Sequence, residues 1–167
     1  VTAVGAGVFH ACAWTSTGVV RCWGRNDQGQ ISVPSNLGRV TALAAGGWHN
    51  CAVTMNSRVV RCWGDNAFRQ GTVPSNLGPV IAVAVGVQHT CAITTNGTLR
   101  CWGWNVDRQA AVPSNLGPVT AVTAGISHTC AMTTNAAVRC WGLNSDGQAR
   151  VPANLGRVTA VGAGRWH

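Results

Sequence analysis

Thiol and imidazole groups are the side chains of this sequence that could do chemistry, and they recur at fixed positions. Eight cysteines form four pairs whose members are ten or eleven residues apart: Cys12 with Cys22, Cys51 with Cys62, Cys91 with Cys101, and Cys130 with Cys140. A histidine stands two residues before the first cysteine of each pair, at His10, His49, His89 and His128. Thiolates and imidazoles can bind a metal ion, whereas paired thiols can form disulfides.

The spacing of the cysteines favours disulfides over a metal site. If each pair flanks a hairpin turn, its two Cβ atoms lie across the strands about 4.5–5.5 Å apart, near enough for a disulfide after small adjustments. Zinc and free buried thiols are the alternatives, but the sequence lacks the CxxC spacing of most structural zinc sites. We therefore predict four disulfides, no metal and no cofactor. Disulfides in this number predict an oxidising compartment, either extracellular or periplasmic.

The histidines also mark a repeat that covers the whole chain. His10, His49, His89, His128 and His167 are 39 or 40 residues apart, and between them HxCA, RCWGxN, a Gln and VPxNLG recur in order. We divide the chain into one propeller domain, 1–167, with units at 1–39, 40–79, 80–118 and 119–157 and a partial unit at 158–167. A period of this length is typical of propellers and solenoids, in which neighbouring units bury each other's apolar faces.

Each unit has the pattern of three short antiparallel strands. In the first unit, Val1 to Gly7 is apolar, His10 to Thr15 alternates, and Val19 to Trp23 alternates again after a Gly-containing turn. The extra residue of the second unit falls in 55–58, within a hairpin turn, where insertions are tolerated. Prolines open the next turn, at Pro34, Pro74, Pro113 and Pro152. No segment has a helical period, so the predicted fold is all-β.

Strand alternation assigns structural roles to the recurring large residues. It places Ala13 opposite Arg21 and puts one tryptophan of each unit on the same strand face, where it can wedge between neighbouring blades: Trp23, Trp63, Trp102 and Trp141. The histidines occupy equivalent positions with no Ser or Asp placed beside one of them, so we predict hydrogen-bonded structural groups and no enzyme.

The charge and composition limit the function classes. The chain has twelve arginines, no lysine and a net charge of +8. That charge favours acidic partners, but one arginine per unit already has a packing role, and we do not predict nucleic-acid binding. No apolar run is long enough to span a bilayer. The sequence begins without Met, so a leader could have preceded it.

The repeated pattern GxxHxCAxTxxGxVxCWGxNxxGQxxVP is similar to the regulator of chromosome condensation repeat. Units at 46–74, 86–113 and 125–152 carry it, and it resembles most the short-repeat bacterial secreted branch that includes the β-lactamase-inhibitory propeller protein. The resemblance implies a β-propeller, usually of seven blades, that binds other proteins through loops on one face and has no activity of its own. The paired cysteines depart from the minimal pattern and argue against the nuclear, exchange-factor role of eukaryotic members.

The two ends of the chain duplicate one another. Val158 to His167 repeats Val1 to His10, so the ends do not complement each other as those of a self-closing ring would. We predict four complete blades plus one extra strand, in an open arc or part of a larger ring. Self-association or ring completion by another chain is expected.

Two segments vary between units, and we predict that they bind a protein partner. They are the two residues before each histidine and the loop from the x of WGxN to the residues after Gln, which the resemblance places on one rim. Exposed aromatics among Arg and Asp on rigid loops are typical of binding hot spots. The predicted contacts are Phe9, Trp48, Phe68, Trp104, Trp166, Arg25, Asp65, Arg69 and Arg108. Surface residues that merely cover blade edges are the alternative for each of them.

A carbohydrate-binding propeller is the second function class. Propeller lectins use one pocket per blade, and every complete unit offers His, Trp, Asn and Gln, for example His49, Trp63, Asn66 and Gln70. Identical pockets would require identical contact residues, whereas an asymmetric protein partner lets them diverge. The divergence of the loops therefore favours the protein partner, with a glycan on an extracellular surface as the alternative.

Overall fold

The computed structural model describes residues 3–167, and within them there is no helix. Twelve strands form four antiparallel three-stranded sheets, each in chain order, as the all-β propeller prediction requires. The predicted first strand, Val1 to Gly7, is observed as Ala3–Ala6, and Val1 and Thr2 lie outside the described residues.

The four sheets are the four blades, and each takes its strands from one repeat unit. The first contains β1 (Ala3–Ala6), β2 (His10–Trp14) and β3 (Val20–Gly24), and the second contains β4 (Val40–Ala45), β5 (His49–Thr54) and β6 (Val60–Gly64). The third contains β7 (Val80–Val85), β8 (His89–Thr94) and β9 (Leu99–Gly103), and the fourth contains β10 (Val119–Ala124), β11 (His128–Thr133) and β12 (Val138–Gly142).

The strand register confirms the predicted cysteine pairing. Cys12 lies directly opposite Cys22, and the other three pairs are aligned in the same way. All four pairs form disulfides, with Cα atoms 4.0–4.1 Å apart, and none of the cysteines is free. Ala13 faces Arg21 as predicted. The extra residue of the second unit lies in the β5–β6 hairpin, where Arg58 has a positive φ of 53°.

Tryptophans join each blade to the one before it. Trp63 is buried against Cys12, Leu37 and Val40, and its indole Nε1 donates to the carbonyl of Gln30 at 3.1 Å. Trp102 and Trp141 pack on the second and third cores in the same manner and donate to the carbonyls of Gln70 and Gln109. The wedge prediction is confirmed for these three. It is wrong for Trp23, which is 52% exposed because no described blade precedes it.

Glycines let the innermost strands approach closely at the centre of the arc. A Cβ added to Gly86 would lie 2.6 Å from the carbonyl of Gly125 and 2.5 Å from Nδ1 of His89. Gly7 is crowded in the same way by Gly46 and His10. Side chains cannot be accommodated at such distances, so glycine is required there. These strand ends line a central cavity of about 260 Å³.

The segment 158–167 is not the extra strand that the repeat predicted. Its residues form no strand, although the N–H of Gly164 donates to the carbonyl of His167 at 2.7 Å, as Gly7 does to His10 at 2.8 Å. It is attached to the fourth blade by three hydrogen bonds: from Val158 N–H to the carbonyl of Ala136, from Ala163 N–H to Thr123 Oγ1, and from Ile126 N–H to the carbonyl of Arg165. The turn is therefore repeated without the strand pairing that a complete blade would provide.

Candidate functional site

The two variable segments of every unit meet at one end of each blade. The backbone N–H that follows the third strand donates to the carbonyl of the residue before the histidine: Arg25 to Phe9, Asp65 to Trp48, Trp104 to Gln88, and Leu143 to Ser127, at 2.8–2.9 Å. We call this end the variable rim. It comprises residues 8–9, 47–48, 87–88, 126–127 and 165–166 and the loops 25–29, 65–69, 104–108 and 143–147.

A shared hydrogen-bond pattern gives the four rim loops one backbone shape. The side-chain oxygen of an asparagine accepts a backbone N–H five residues later in each loop, at Asn26, Asn66, Asn105 and Asn144. The Oε1 atom of a glutamine accepts the N–H two residues earlier, at Gln30, Gln70, Gln109 and Gln148. The rim therefore varies in its side chains on a common loop framework.

The first aromatic group spans the first and second blades. The rings of Phe9 and Trp48 lie 5.1 Å apart, and the guanidinium of Arg25 lies 5.4 Å and 5.1 Å from their centroids. Asp27 forms an ion pair with Arg25 at 2.6 Å, which lowers the pKa of that carboxyl group. Phe9 is half exposed and Trp48 is partly buried.

The second aromatic group spans the second and third blades. Phe68 meets Trp104 edge to face, with ring centroids 4.4 Å apart. Arg69 and Arg108, on the same two rim loops, are exposed. Trp166, 54% exposed, lies under the guanidinium of Arg165 at the far end of the rim. The five predicted aromatic contacts therefore form two ring pairs and one separate residue, Trp166.

Asp65 holds its own loop together. Its carboxylate accepts from the N–H of Ala67 at 3.0 Å and from Nε2 of Gln70 at 2.9 Å. These bonds use both oxygens within the blade, and they explain why this carboxylate is partly buried. A direct contact between Asp65 and a partner stays a prediction.

The histidines bind neighbouring blades, and the residues they bind were missed by sequence reasoning. His49 Nε2 lies 2.8 Å from Thr90 Oγ1, and the Thr90 hydroxyl donates to the carbonyl of Gln70. The hydroxyl proton is thus already used, so the imidazole must donate from Nε2. His10 with Asn50 and His89 with Thr129 repeat this contact. The available signal was the residue after each histidine, which is polar in the second to fourth units but Ala11 in the first.

Burial keeps these imidazoles neutral. Desolvation is the main cause that lowers the pKa of His49 to about 3 and that of His89 to about 4, with the neighbouring histidines adding to it. Desolvation also lowers the pKa of His128. The contacts confirm the predicted hydrogen-bonded structural role for His10, His49 and His89. In residues 3–167, Nε2 of His128 has no hydrogen-bond partner.

Within the described chain, no group of three or more His, Cys, Asp or Glu side chains is arranged to hold a metal ion. Nor does any helix among residues 3–167 have the length and apolar character needed to cross a membrane.

The four repeat units match the model of one known protein family. The model of the regulator of chromosome condensation (RCC1) repeat matches residues 1–30, 40–70, 80–109 and 119–148. The chain belongs to this family. Its matched segments run from the start of each unit to the rim glutamine and together cover well over half of the sequence. A comparison with curated proteins gives no significant match.

Solved structures of two plant receptor-kinase ectodomains superpose on the chain. The CRINKLY WD40 ectodomain of the Arabidopsis thaliana receptor kinase ACR4 is 30% identical, with a TM-score of 0.71 over 84% of this chain and 50% of that one. The ectodomain of the Physcomitrella patens receptor kinase CR4 is 26% identical, with a TM-score of 0.72 over 83% of this chain and 38% of that one.

A yeast relative shares the fold at lower identity. Prp20p of Saccharomyces cerevisiae, whose structure was described together with its binding to Gsp1p and histones, is 19% identical, with a TM-score of 0.75 over 88% of this chain. The RCC1-repeat chain described here spans 45% of Prp20p and no more than half of either receptor ectodomain.

Proposed function

We propose that this RCC1-repeat chain is an exported, non-enzymatic binding scaffold that recognises a protein partner through the variable rim. One observation carries the proposal: two aromatic groups, each bridging adjacent blades, stand on loops that share one backbone framework but differ in side chains. Rigid loops that carry aromatic and arginine side chains are typical of protein-binding hot spots. Their differences between repeats suit an asymmetric partner.

The burial of the alternative sugar-binding residues supports this choice. His49 and Gln70 have no exposed surface, and Trp63 is 8% exposed. His49 and Trp63 join blades together, and the Gln70 side chain is hydrogen-bonded to Phe68 and Asp65 within its own loop. Asn66 is exposed, but its side-chain oxygen is used within the loop. A carbohydrate pocket in each blade would need these groups to reach the solvent.

Export and assembly complete the proposal. Four disulfides support passage through an oxidising compartment, in line with the resemblance to the short-repeat secreted branch of bacteria. The exposed Trp23 supports self-association, or completion of the ring by another chain, because its counterparts are covered by a preceding blade. The net charge of +8 would favour an acidic partner surface.

A comparative capture experiment tests the proposal. The immobilised chain and the double variant Trp48→Ala/Phe68→Ala are exposed to the same extracellular fluid, and bound proteins are quantified by mass spectrometry. Met55→Ala is the matched control, because Met55 is 39% exposed in a hairpin at the opposite end of its blade. We expect a protein retained by the wild type and the control but lost from the double variant.

Glycan-array screening of the same three proteins tests the alternative. We expect no glycan bound above background. Saturable binding of one sugar that is unchanged by the rim variant would contradict the proposed function.

A further inference from the structure

One hydrogen bond distinguishes the third rim loop from the first two. In the first blade, Nε2 of Gln30 donates to Oδ1 of Asp27 at 3.2 Å, and in the second, Nε2 of Gln70 donates to Oδ2 of Asp65 at 2.9 Å. Gln109 is the equivalent residue of the third blade and has no exposed surface. Its Oε1 accepts from the N–H of Asp107 as expected, but its Nε2 has no partner within residues 3–167.

The sequence explains why this amide lacks an acceptor. Trp104 stands where the second blade has Asp65, and Val106 stands where the first blade has Asp27. Asp107, the acid in this loop, donates its backbone N–H to Oε1 of Gln109, but its carboxylate does not accept a hydrogen bond from Nε2. A buried polar group is expected to have a partner, so an unpartnered amide at an equivalent position indicates a missing acceptor.

The residue before Gln109 adds an uncompensated positive charge in a disfavoured conformation. Arg108 has a φ of 62°, whereas the equivalent positions in the first and fourth blades are glycines, Gly29 at 74° and Gly147 at 82°. Residues other than glycine seldom adopt such a backbone, and they tend to persist in it at functional sites. Arg108 is exposed, and the one ion pair among residues 3–167 is that of Arg25 with Asp27.

We propose that the third rim loop binds a carboxylate of the protein partner, from an Asp or Glu side chain. The carboxylate takes the position relative to Gln109 that the Asp65 carboxylate takes relative to Gln70. It accepts from Nε2 of Gln109 and pairs with the guanidinium of Arg108, a combination that carboxylates favour. Trp104 stands at the position of Asp65 and is partly exposed, so its indole must move for the acid to enter. This inference rests on the proposed function and names the chemistry of the partner.

Titration of the whole chain with sodium acetate tests the site without the partner. The side-chain amide signals of ¹⁵N-labelled protein are followed by NMR at constant ionic strength, with sodium chloride as the reference salt. We expect the Gln109 amide signal to shift saturably, because its donor is free. The Gln30 and Gln70 amides should not shift, because carboxylates within the chain already occupy them.

Two variants test whether the acetate response depends on the free Gln109 amide and on the charge of Arg108. Trp104→Asp supplies an internal carboxylate like that of Asp65, so it should abolish the acetate response of Gln109 and raise the melting temperature. Arg108→Gly should weaken acetate binding about fivefold to tenfold, the factor expected for the loss of one charge-assisted contact, while relaxing the loop. Arg69→Gly, the same change in the second blade, is the matched control and should leave the Gln109 response unchanged.

Three results would contradict a carboxylate site at Gln109. They are no shift of the Gln109 amide signal, an equal shift of all the glutamine amide signals, or a water on Nε2 of Gln109 that acetate does not displace. The titration separates this inference from the proposed function. If acetate fails while the Trp48→Ala/Phe68→Ala variant still loses its captured protein, only the carboxylate site is wrong. If acetate binds but no rim variant affects capture, the site stands and the proposed function is wrong.

Discussion

Thr90 shows how a single hydroxyl group holds two blades together. It donates to the carbonyl of Gln70 in the second blade and accepts from His49 in the same blade, while it belongs to β8 of the third. Trp102 donates to that same carbonyl at 2.9 Å. The blade junction therefore depends on a small, fully buried polar network, in which each missing partner leaves a desolvated group behind.

Replacing this hydroxyl should destabilise the fold without changing its shape. Thr90→Val keeps the volume but leaves Nε2 of His49 unpaired, so we expect the free energy of unfolding to fall by about 1–3 kcal/mol. Urea denaturation measures the loss. Thr95→Val, at an exposed position just after the end of β8, should be nearly neutral. Equal stabilities of the two variants would contradict the role given to Thr90.

The buried histidines make stability depend on pH. His49 and His89 have pKa values lowered from 6.5 to about 3 and about 4, so below pH 6.5 the unfolded chain binds protons that the folded chain does not. The stabilisation that these neutral histidines provide is therefore complete above pH 6.5. As the pH decreases toward 4, the free energy of unfolding falls by at most about 1.4 kcal/mol per pH unit for each histidine.

Urea midpoints at pH 7.5, 5.5 and 4.5 test this dependence. We expect a steady decrease over that range. Asp27 has its pKa lowered from 3.8, so its contribution is lost mainly below this range. A midpoint that does not change between pH 7.5 and 4.5 would show that the imidazoles are not held neutral by the fold.

At the scale of the blade, the disulfide offsets a small core. Each bridge joins two neighbouring strands across a loop with a sequence separation of 10 or 11. In the chain-entropy model such a bridge contributes about 3 kcal/mol. We expect the double variant Cys91→Ala/Cys101→Ala to lower the melting temperature by about 6–12 °C, since for a chain of this size 1 kcal/mol corresponds to roughly 2–4 °C.

Full reduction should have a larger effect than the loss of one bridge. We expect the far-ultraviolet signal of the blades to be lost well below the melting temperature of the oxidised chain. Thiol titration must accompany the measurement. An unchanged melt with eight titratable thiols would refute the stabilising role of the bridges.

Much of each blade could be predicted from the sequence because it depends on local periodicity. Alternation places Cys12 opposite Cys22, and the repeat makes the same pairing recur. Contacts between blades were harder to predict. The role of Thr90 depends on a carbonyl twenty residues earlier, and the ring contact of Phe68 with Trp104 depends on how blades pack. The segment 158–167 lacks the expected strand because pairing needs neighbouring strands that repetition alone does not supply.

For the molecule as a whole, surfaces that are buried at internal junctions are uncovered on the outer blades. Trp23 is 52% exposed, against 8% for Trp63, and Leu155 is 44% exposed, against 4–7% for its counterparts Leu37, Leu77 and Leu116. Apolar groups of this size favour association. The first and fourth blades therefore each expose apolar side chains of the kind that are buried between neighbouring blades.

The 167-residue chain should therefore self-associate in solution. We expect sedimentation to give a mass above 17.3 kDa, and Trp23→Arg to shift the chain toward the monomer. Trp166→Ala, which alters an equally exposed aromatic on the rim, should leave the association unchanged. A compact monomer whose two terminal segments resist hydrogen exchange would contradict this expectation.

The central claim is that one protein partner binds across the rim, and calorimetry of the captured partner with Trp48→Ala and Trp104→Ala tests it most directly. Each change should weaken binding by about 1–4 kcal/mol, as the loss of a buried aromatic anchor does, in a one-to-one complex. The fold should be retained with a small loss of stability, because each ring contacts one aromatic neighbour. Unchanged affinity of both variants, or several equal sugar sites per chain in which one substitution reduces only the stoichiometry, would contradict the account.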